Sequence, residues 1–380
     1  MKLGRSRPHE DRFPADRPLG EALLEVQDLH THFATGRGTV RAVDGVSFSL
    51  HRGTTLGIVG ESGSGKTVLA RTIMGLLPRS NVTRTGSIKY RGVELVGMTT
   101  DEMRHVWGTE MAMVFQDPLT ALNPVVRIGR QLSEGLRFHL DMDKAEATET
   151  SIALLRSVGI PEPERRLQQY PFELSGGMRQ RVIIAIALAC GPKLLFADEP
   201  TTALDVTVQA QILNLLAEKQ QERHMAMILV THDLGVVAGR TDEIAVMYAG
   251  KVVEKAPTAA LFSNIRMPYT EALMRSIPRM EEPSHTRLTA ITGRPPDLAH
   301  PPAGCNFAPR CPYAQERCLT EEPPLQLGDK PDHVFACWYP AGTPEGKAAF
   351  ETNLAAGRPQ TLLAAGQATP DVEIQISAAT

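Results

Sequence analysis

Short apolar runs alternate with helical patterns over most of the chain, starting near Leu23. The runs are Leu56–Val59, Met111–Phe115, Leu194–Ala197, Met227–Val230 and Ile244–Tyr248. Nearly continuous apolar runs of this length are typical of strands in a parallel sheet that is covered on both faces. The segment Val208–Leu216 instead places its apolar residues at helical spacing. This alternation predicts an α/β fold with a parallel sheet built from βαβ units.

Changes in this rhythm divide the chain. Residues 1–20 are charged and proline-rich, which predicts a disordered N-terminal extension. Residues 21–260 carry the α/β pattern, interrupted at about 117–189 by a mostly helical insertion. Residues 261–340 form a proline-rich C-terminal extension that lacks the pattern of a regular sheet or bundle. Residues 341–380 are rich in Ala, Gly, Gln and Thr, which predicts a flexible tail.

Composition narrows the class of protein. Charged residues make up 22% of the chain and the net charge is −3, so there is no general attraction for nucleic acid or anionic lipid. The longest apolar candidate, Val182–Cys190, is far shorter than the roughly 18–20 residues that cross a bilayer. The N-terminal 20 residues have no apolar centre, so they do not resemble a secretory signal. We therefore expect a reducing compartment, in which cysteines serve as metal ligands or core residues rather than disulfides.

The sequence Gly60-Glu61-Ser62-Gly63-Ser64-Gly65-Lys66-Thr67 matches the phosphate-binding P-loop pattern at every position. It follows the predicted strand Leu56–Val59 and opens a helix predicted to run to Leu77, which is the context the motif requires. The glycines let successive backbone N–H groups curl around phosphates, and the helix N-terminus adds positive potential. Lys66 is predicted to reach the β- and γ-phosphates of ATP, and Thr67 to place its hydroxyl on Mg²⁺.

An acidic pair follows the predicted strand Leu194–Ala197. Asp198 and Glu199 therefore lie at the carboxyl edge of the sheet, where open α/β sheets bind ligands. An acidic pair at a strand end is often only the start of a loop, but together with a P-loop it predicts nucleotide hydrolysis. Asp198 is predicted to hold Mg²⁺, and Glu199 to orient and polarise the attacking water.

A third motif, Leu174-Ser175-Gly176-Gly177-Met178, lies between the P-loop and the acidic pair. Alone, Ser-Gly-Gly before a helix fits an ordinary N-cap as well as a second anion site. In a chain that already has a P-loop, it resembles the signature sequence of ABC ATPases. Further motifs at the family's positions are Gln116 (the Q-loop), Asp205 in Ala-Leu-Asp (the D-loop) and His232 in Thr-His-Asp (the switch histidine). Together the motifs cover roughly residues 23–255.

The resemblance implies a RecA-like P-loop NTPase core with an α-helical subdomain, which dimerises head to tail. Ser175, Gly176 and Gly177 of one subunit are expected to close over ATP held by the other. Gln116 is expected to join the Mg²⁺ site, and His232 to act beside Glu199 as a catalytic residue. Many family members stack adenine on an aromatic residue upstream of the P-loop. This chain has none at residues 39–43, and Phe33 is the nearest aromatic residue. Val40 is the expected contact with the base.

Several segments resemble the peptide-importer branch of the family, which comprises dipeptide, oligopeptide and nickel transporters. These segments are Gln116–Pro124, Tyr170–Glu173, Pro268–Leu273 and the cysteine-containing stretch from Gly304. The last resembles the C-terminal extension of the D-type ATPase of those importers. The resemblance implies an F-type ATPase partner, two membrane permeases and an extracytoplasmic substrate-binding protein. It also implies a peripheral position on the cytoplasmic face of the membrane.

Two other classes of ABC protein share these core motifs: soluble ABC ATPases and exporter ATPases. Soluble ABC ATPases of repair, translation or iron–sulfur assembly lack permeases, and the repair proteins insert long modules within the core. The short segment between Gln116 and Leu174 leaves no room for such a module. An exporter ATPase is not expected to carry the cysteine-containing extension.

Four of the five cysteines lie in the extension: Cys305, Cys311, Cys318 and Cys337. A proline-rich segment without a core of its own needs a cross-link of some kind, and a metal site would provide one. Three hypotheses remain: an iron–sulfur cluster, which tolerates varied spacing, zinc, or four unligated thiols. Zinc sites usually contain a close cysteine pair, which is absent from this spacing, and the family resemblance implies a [4Fe–4S] cluster. Cys190, in an apolar helix, is predicted to be a small core residue.

Overall fold

The computed structural model describes residues 21–78, 80–202, 204–277, 291 and 293–357. The predicted disordered segment 1–20 and most of the predicted tail, from residue 358 onward, lie outside the described residues.

The strands form one mixed sheet and one antiparallel sheet. In chain order they are β1 (Ala22–Thr35), β2 (Gly38–His51), β3 (Thr55–Val59), β4 (Val82–Tyr90), β5 (Val93–Glu94), β6 (Met111–Val114), β7 (Leu194–Asp198), β8 (Ala226–Thr231), β9 (Glu243–Tyr248), β10 (Lys251–Pro257), β11 (Gln326–Leu327) and β12 (Val334–Phe335).

The larger sheet contains all five strands predicted from the apolar runs. Its order is β11-β12-β10-β9-β3-β8-β7-β6, and the pairs among β9, β3, β8, β7 and β6 are all parallel. Every residue of β3 and β7 is buried, as expected for central strands covered on both faces. The α/β class and the parallel core are therefore confirmed. Beyond β9 the sheet continues with antiparallel strands, which the sequence did not predict.

A second, antiparallel sheet, ordered β2-β1-β4-β5, was also not predicted. Its long strands β1 and β2 have several register shifts, so buried and exposed residues do not alternate regularly along them. The buried apolar residues of this sheet share one hydrophobic core with those of helix α1 (Lys66–Ile73). The hydroxyl groups of Thr31 on the sheet and Thr72 on that helix lie 2.9 Å apart in this buried interface.

The helices are α1 (Lys66–Ile73), α2 (Thr100–Met103), α3 (Pro118–Ala121), α4 (Ile128–His139), α5 (Lys144–Ser157), α6 (Pro163–Arg166), α7 (Gly176–Leu188), α8 (Val206–Arg223), α9 (Leu234–Val237), α10 (Thr258–Ser263), α11 (Pro268–Arg275), α12 (Glu316–Thr320) and α13 (Pro344–Ala355), with 3₁₀ turns at Pro171–Glu173 and Ala308–Arg310. Helix α1 ends at Ile73 rather than at the predicted Leu77. Gly75, with φ of 66°, takes the left-handed conformation that commonly terminates helices.

The C-terminal extension packs on the core rather than standing apart from it. Strand β12 pairs with β10 and so joins the edge of the larger sheet. Beside this junction, the fully buried His333 and Glu254 side chains lie 2.9 Å apart. Glu254 also accepts hydrogen bonds from the backbone N–H groups of Arg266 and Met267. A buried carboxylate with this many partners fixes the start of the extension.

Pro344–Ala355, at the start of the segment predicted to be a flexible tail, forms helix α13. The helix has clear local causes. Thr343 caps it by accepting a hydrogen bond from the Gly346 N–H, and Pro344 occupies the first turn. Asn353 then ties it to the extension by donating to the carbonyls of Pro312 and Ala314.

Within the described ranges, none of the helices combines the length and hydrophobicity needed to span a bilayer.

Candidate nucleotide site

The P-loop connects β3 to α1, as predicted. Two of its glycines allow close backbone contacts: a Cβ on Gly60 would lie 2.2 Å from the carbonyl oxygen of Met247, and one on Gly65 would lie 2.2 Å from that of Ala42. Gly63 and Gly65 also have left-handed φ angles of 82° and 103°. Glycine is therefore required sterically as well as conformationally in this loop.

Lys66 is buried and its ammonium group faces the loop that precedes it. Its Nζ donates hydrogen bonds to the carbonyl oxygens of Gly60 at 2.7 Å and Glu61 at 2.9 Å. Burial lowers the pKa of Lys66, while the nearby carboxylates of Glu199 and Asp198 act in the opposite direction. The loop therefore carries one shielded positive charge at its centre.

Thr67 and Asp198 meet across the sheet edge, although they are far apart in sequence. The Thr67 hydroxyl donates a 2.9 Å hydrogen bond to Oδ1 of Asp198. Oδ2 of Asp198 is buried and has no hydrogen-bond partner in the described part of the chain. Burial raises the pKa of Asp198. A buried carboxylate oxygen without a partner beside a hydroxyl is a suitable donor set for a hard divalent cation.

Three groups surround Oε2 of Glu199. Gln116 Nε2 and the Thr202 hydroxyl each donate to it at 3.0 Å, and His232 Nδ1 lies 3.4 Å away. Glu199 has φ of 44°, an unusual conformation for a residue other than glycine, and its N–H donates to the carbonyl of Val230. The backbone of Glu199 is therefore anchored to β8 directly after β7 ends.

A cavity of about 980 Å³ brings most of the predicted site together. Residues from the P-loop line it with Gln116, Glu199, His232 and Val40. Its wall also includes Phe33 and three apolar residues of the extension, which the sequence did not predict: Ile291, Pro295 and Leu298. No local pattern in the proline-rich extension indicated that these residues face a site in the core.

The signature residues are not brought into this cavity. Ser175 caps α7 by accepting a hydrogen bond from the Met178 N–H at 3.3 Å. A Cβ on Gly177 would lie 2.9 Å from Val208 on α8, so this glycine allows α7 and α8 to approach closely. Asp205 similarly caps α8 by accepting from the Val208 N–H at 2.9 Å. Among the described residues that line the P-loop cavity, none belongs to the signature or D-loop motifs.

Arg310, in the extension, forms a bidentate ion pair with the P-loop residue Glu61. The two N···O distances are 2.6 and 2.9 Å, and the Arg310 side chain is only 4% exposed. The Glu61 N–H also donates to the hydroxyl of Tyr269, on α11. Nothing in the sequence pattern predicted this contact between residues that are 249 positions apart.

The four cysteines of the extension line one narrow cavity of about 10 Å³. Burial raises the pKa of each thiol, to about 11 for Cys305, and neighbouring thiols add to the effect on Cys305, Cys311 and Cys337. Backbone N–H groups also point at the sulfur atoms, including that of Phe307 at Cys305 and that of Tyr339 at Cys337. Within the described residues, no three of the sulfur atoms lie within 4.8 Å of one another. Cys190 lies apart from this group, in the helical subdomain near Gly135.

Comparison with known proteins places these features in a family. The family described as "ABC transporter" matches residues 43–202, and "Oligopeptide/dipeptide transporter, C-terminal region" matches residues 253–318. The chain is 49% identical to the dipeptide transport ATP-binding protein DppD of Bacillus subtilis, over 84% of this chain and 95% of that protein. It is 48% identical to the oligopeptide transport ATP-binding protein OppD of Escherichia coli, over 86% of this chain and 96% of that protein.

Solved structures agree with this relationship. The fold is similar to that of an ATP-binding cassette dimer solved in a post-hydrolysis state with ADP and phosphate, with a TM-score of 0.56 and 26% identity over 62% of this chain and 98% of that one. The P-loop, the strand-end carboxylates and the matched C-terminal region thus agree with both sequence and structural relatives. The chain belongs to the ABC transporter ATP-binding proteins, as an ATP-hydrolysing subunit in the branch that carries the oligopeptide/dipeptide C-terminal region.

Proposed function

We propose that this chain is the D-type ATPase of an importer that takes up peptides or similar small solutes. Its relatives are named for dipeptide and oligopeptide transport, and its C-terminal region is of the type found in those transporters. The observation that carries the proposal is the convergence of Glu199, Gln116 and His232 on the P-loop cavity of a chain with this C-terminal region.

Glu199 is the general base in this proposal. A water molecule that attacks the γ-phosphate has to lose a proton, and a positioned carboxylate accepts it. Gln116 and Thr202 hold Oε2 of Glu199 from two sides, which fixes the direction of the carboxylate. His232 is 60% exposed at the mouth of the site and is placed to contact the γ-phosphate as the switch histidine.

Backbone N–H groups of residues 60–65 cradle the phosphates of ATP, and Lys66 supplies a positive charge. Thr67, Asp198 and Gln116 hold Mg²⁺. The orphaned Oδ2 of Asp198 supports this assignment, because a buried carboxylate oxygen without a partner is costly unless a cation or ordered water satisfies it. When bound, Mg²⁺ neutralises charge on the phosphates.

Ser175, Gly176 and Gly177 serve the ATP of a second ABC ATPase, the F-type partner, and Asp205 lies at the same interface. The support is their position outside the cavity of their own chain, at the N-terminus of the thirteen-residue helix α7. The Ser175 hydroxyl and the unobstructed N–H groups that follow it form a second anion site at this helix end.

The helical subdomain is the expected docking surface for two transmembrane permeases. It exposes large apolar side chains, with Val125 at 79%, Phe138 at 69% and Phe172 at 67%. These exposed apolar side chains support the subdomain as an interaction surface. Docking there places the chain at the cytoplasmic face of the membrane, opposite the extracytoplasmic substrate-binding protein. Peptide import does not require nucleic acid as a partner.

The four extension cysteines hold a [4Fe–4S] cluster, with one zinc ion as the alternative. The support is that all four cysteines line one cavity, which supplies the all-thiolate ligand set that such clusters use. Backbone N–H groups directed at the sulfur atoms are also favourable for thiolate ligands, because they stabilise the negative charge.

The proposal is tested by reconstitution in liposomes with two permeases, a partner ATPase and a peptide-binding protein from the same organism. Binding protein loaded with peptide should stimulate ATP hydrolysis and drive peptide accumulation, and Lys66→Ala should remove both. Hydrolysis that the other subunits and the peptide leave unchanged would favour a soluble ABC ATPase. Transport in the outward direction alone would favour an exporter.

A further inference from the structure

We propose that the C-terminal extension completes the ATP site of its own chain. Ile291, Pro295 and Leu298 would form one wall of a subsite for the adenine base, and Arg310 would neutralise the P-loop carboxylate of Glu61. The inference rests on the ATP-binding role given under Proposed function. It adds that the extension is a working part of the nucleotide site and not only a separate appended module.

The wall is formed by apolar residues that face the β1–β2 hairpin. Ile291, Pro295 and Leu298 line the nucleotide cavity together with Val40. The wall is fixed to the hairpin by backbone, because the Arg41 N–H donates to the carbonyl oxygen of Leu298 at 3.1 Å. A wall held by a main-chain hydrogen bond keeps its position whether or not its side chains are in contact with a ligand.

Apolar and charged residues of the cavity come from different elements. The apolar lining comes from the hairpin and the extension, whereas the charged side chains Glu61, Lys66 and Glu199 come from the P-loop and the end of β7. A purine has two flat faces of low polarity and is bound by apolar surfaces, whereas phosphates need N–H groups and cations. Residues 39–43 contain no aromatic side chain. The apolar residues of the extension therefore join Phe33 and Val40 of the hairpin in forming the surface on which the base packs.

Arg310 connects this wall to the phosphate end of the site. Its guanidinium pairs with both carboxylate oxygens of Glu61. It also donates to the carbonyl of Ile291 and the hydroxyl of Tyr248, each at 3.2 Å. One buried side chain therefore holds the P-loop and the wall in a fixed relationship.

The pairing has an electrostatic consequence. Glu61 lies in the loop that receives the phosphates, and its charge is close enough to affect the pKa of Lys66. An unpaired carboxylate there would repel the phosphates and compete for the lysine, and both effects are strong in a buried site. The guanidinium of Arg310 neutralises the negative charge of Glu61 by pairing with it. Because Arg310 directly precedes Cys311, folding of the cysteine segment places the guanidinium.

The wall is tested with the full chain by calorimetric titration of Mg²⁺–ATP and of Mg²⁺–tripolyphosphate, which lacks the nucleoside. Leu298→Ser should weaken ATP binding about tenfold, through lost apolar contact, and leave tripolyphosphate binding unchanged. Leu327→Ser is the control: this leucine of the extension is 80% exposed, and its variant should bind both ligands as the wild type does. Unchanged ATP binding by Leu298→Ser, or equal losses for both ligands, would overturn the wall.

The ion pair of Arg310 with Glu61, here called the clamp, is tested by a double-variant cycle. Arg310→Ala should weaken both ATP and tripolyphosphate about tenfold, since Glu61 then faces the phosphates. Adding Glu61→Gln should recover most of the loss, because the charge that Arg310 neutralised is gone. A double variant as weak as Arg310→Ala would mean that Arg310 only supports the fold, and the clamp would be rejected. A wild-type chain that bound neither ligand would overturn the ATPase assignment together with this inference. If the wild type binds both ligands tightly, a failed result with the variants counts against the role of the extension alone.

Discussion

Gln116 Nε2 donates a 3.0 Å hydrogen bond to Glu199 Oε2, although 83 positions separate the two residues. They follow β6 and β7, which are parallel neighbours in the sheet. The carboxyl ends of such strands meet at one edge, so two residues distant in sequence become partners at the cavity. The carboxylate is thus aimed before any substrate arrives, which is the condition for efficient proton abstraction.

The first prediction concerns Glu199→Gln. The amide keeps the shape of the side chain but cannot accept the proton of the attacking water. Phosphate release by the assembled transporter should fall by about 10²–10⁴-fold, while calorimetric ATP affinity stays near that of the wild type. Glu243→Gln is the matched control, because this carboxylate belongs to the same sheet but pairs with Lys255. Near-wild-type hydrolysis by Glu199→Gln would contradict the assignment of the base.

The second prediction uses the raised pKa of Asp198. Burial penalises its charged form, so the folded-state pKa lies above the unfolded-state value. The free energy of unfolding is therefore highest when the carboxyl is neutral, at a pH below the unfolded-state pKa. It falls as the pH rises through the folded-state pKa, because the buried carboxyl then has to carry a charge. At neutral pH, Asp198→Asn should therefore make the nucleotide-free protein more stable. A gain of about 1 kcal/mol corresponds to a rise of about 1–2 °C in Tm for a chain of this length.

Thermal melts across pH check this result. The difference between Asp198→Asn and the wild type should shrink as the pH falls toward about 4, where the wild-type carboxyl also becomes neutral. Added Mg²⁺–ATP should stabilise the wild type more than the variant, because the variant lacks a charged ligand for the cation. A variant less stable than the wild type at neutral pH without nucleotide would contradict the proposed cost of burying the charge.

The third prediction separates the two ATP sites. Gly177→Asp places a negative charge where the partner's γ-phosphate is expected. It should abolish hydrolysis by the assembled pair while the isolated chain keeps its ATP affinity within about twofold. Since any side chain on Gly177 also meets Val208, the control is Gly177→Ala combined with Val208→Ala, which restores space without adding charge. A large loss of ATP binding by the isolated Gly177→Asp chain would contradict a site shared between subunits.

The sequence was sufficient for those parts of the fold and site that depend on local pattern. Continuous apolar runs predicted the five parallel strands, and a motif that follows such a run predicted which side chains gather at the sheet edge. Thr67 and Asp198, which were both predicted to contact Mg²⁺, lie at the same edge of the sheet, where the Thr67 hydroxyl donates to Oδ1 of Asp198.

Contacts that depend on tertiary packing were not predictable in this way. Arg310 and Glu61 are 249 positions apart, and an arginine between two cysteines gives no sign of its partner. The same limit applies to Leu298, which faces the cavity because its carbonyl accepts from Arg41, not because of any periodicity. Helix α13 was missed for another reason. The Ala- and Gly-rich composition of residues 341–380 suggested a flexible tail, although Thr343 and Pro344 are a local signal for the start of a helix.

The last prediction concerns Cys305, Cys311, Cys318 and Cys337. Protein purified without oxygen should be brown, absorb broadly near about 400 nm and contain about four irons per chain, one for each cysteine. Replacing any one of the four with Ser should lower the iron content and loosen the extension, because a segment stabilised by a metal site loses its cross-link with a ligand. Faster proteolysis within residues 291–340 would report that loosening directly.

Cys190→Ser is the matched control for these four variants. Cys190 lies in the helical subdomain, away from the other thiols, and burial alone raises its pKa. Its replacement should leave both iron content and colour unchanged, so that a general effect of losing a thiol is separated from loss of a ligand. Colourless protein with one zinc per chain would replace the cluster by the zinc hypothesis. Metal-free protein with an equally protease-resistant extension would reject both, since the four thiols would then serve only as packing residues.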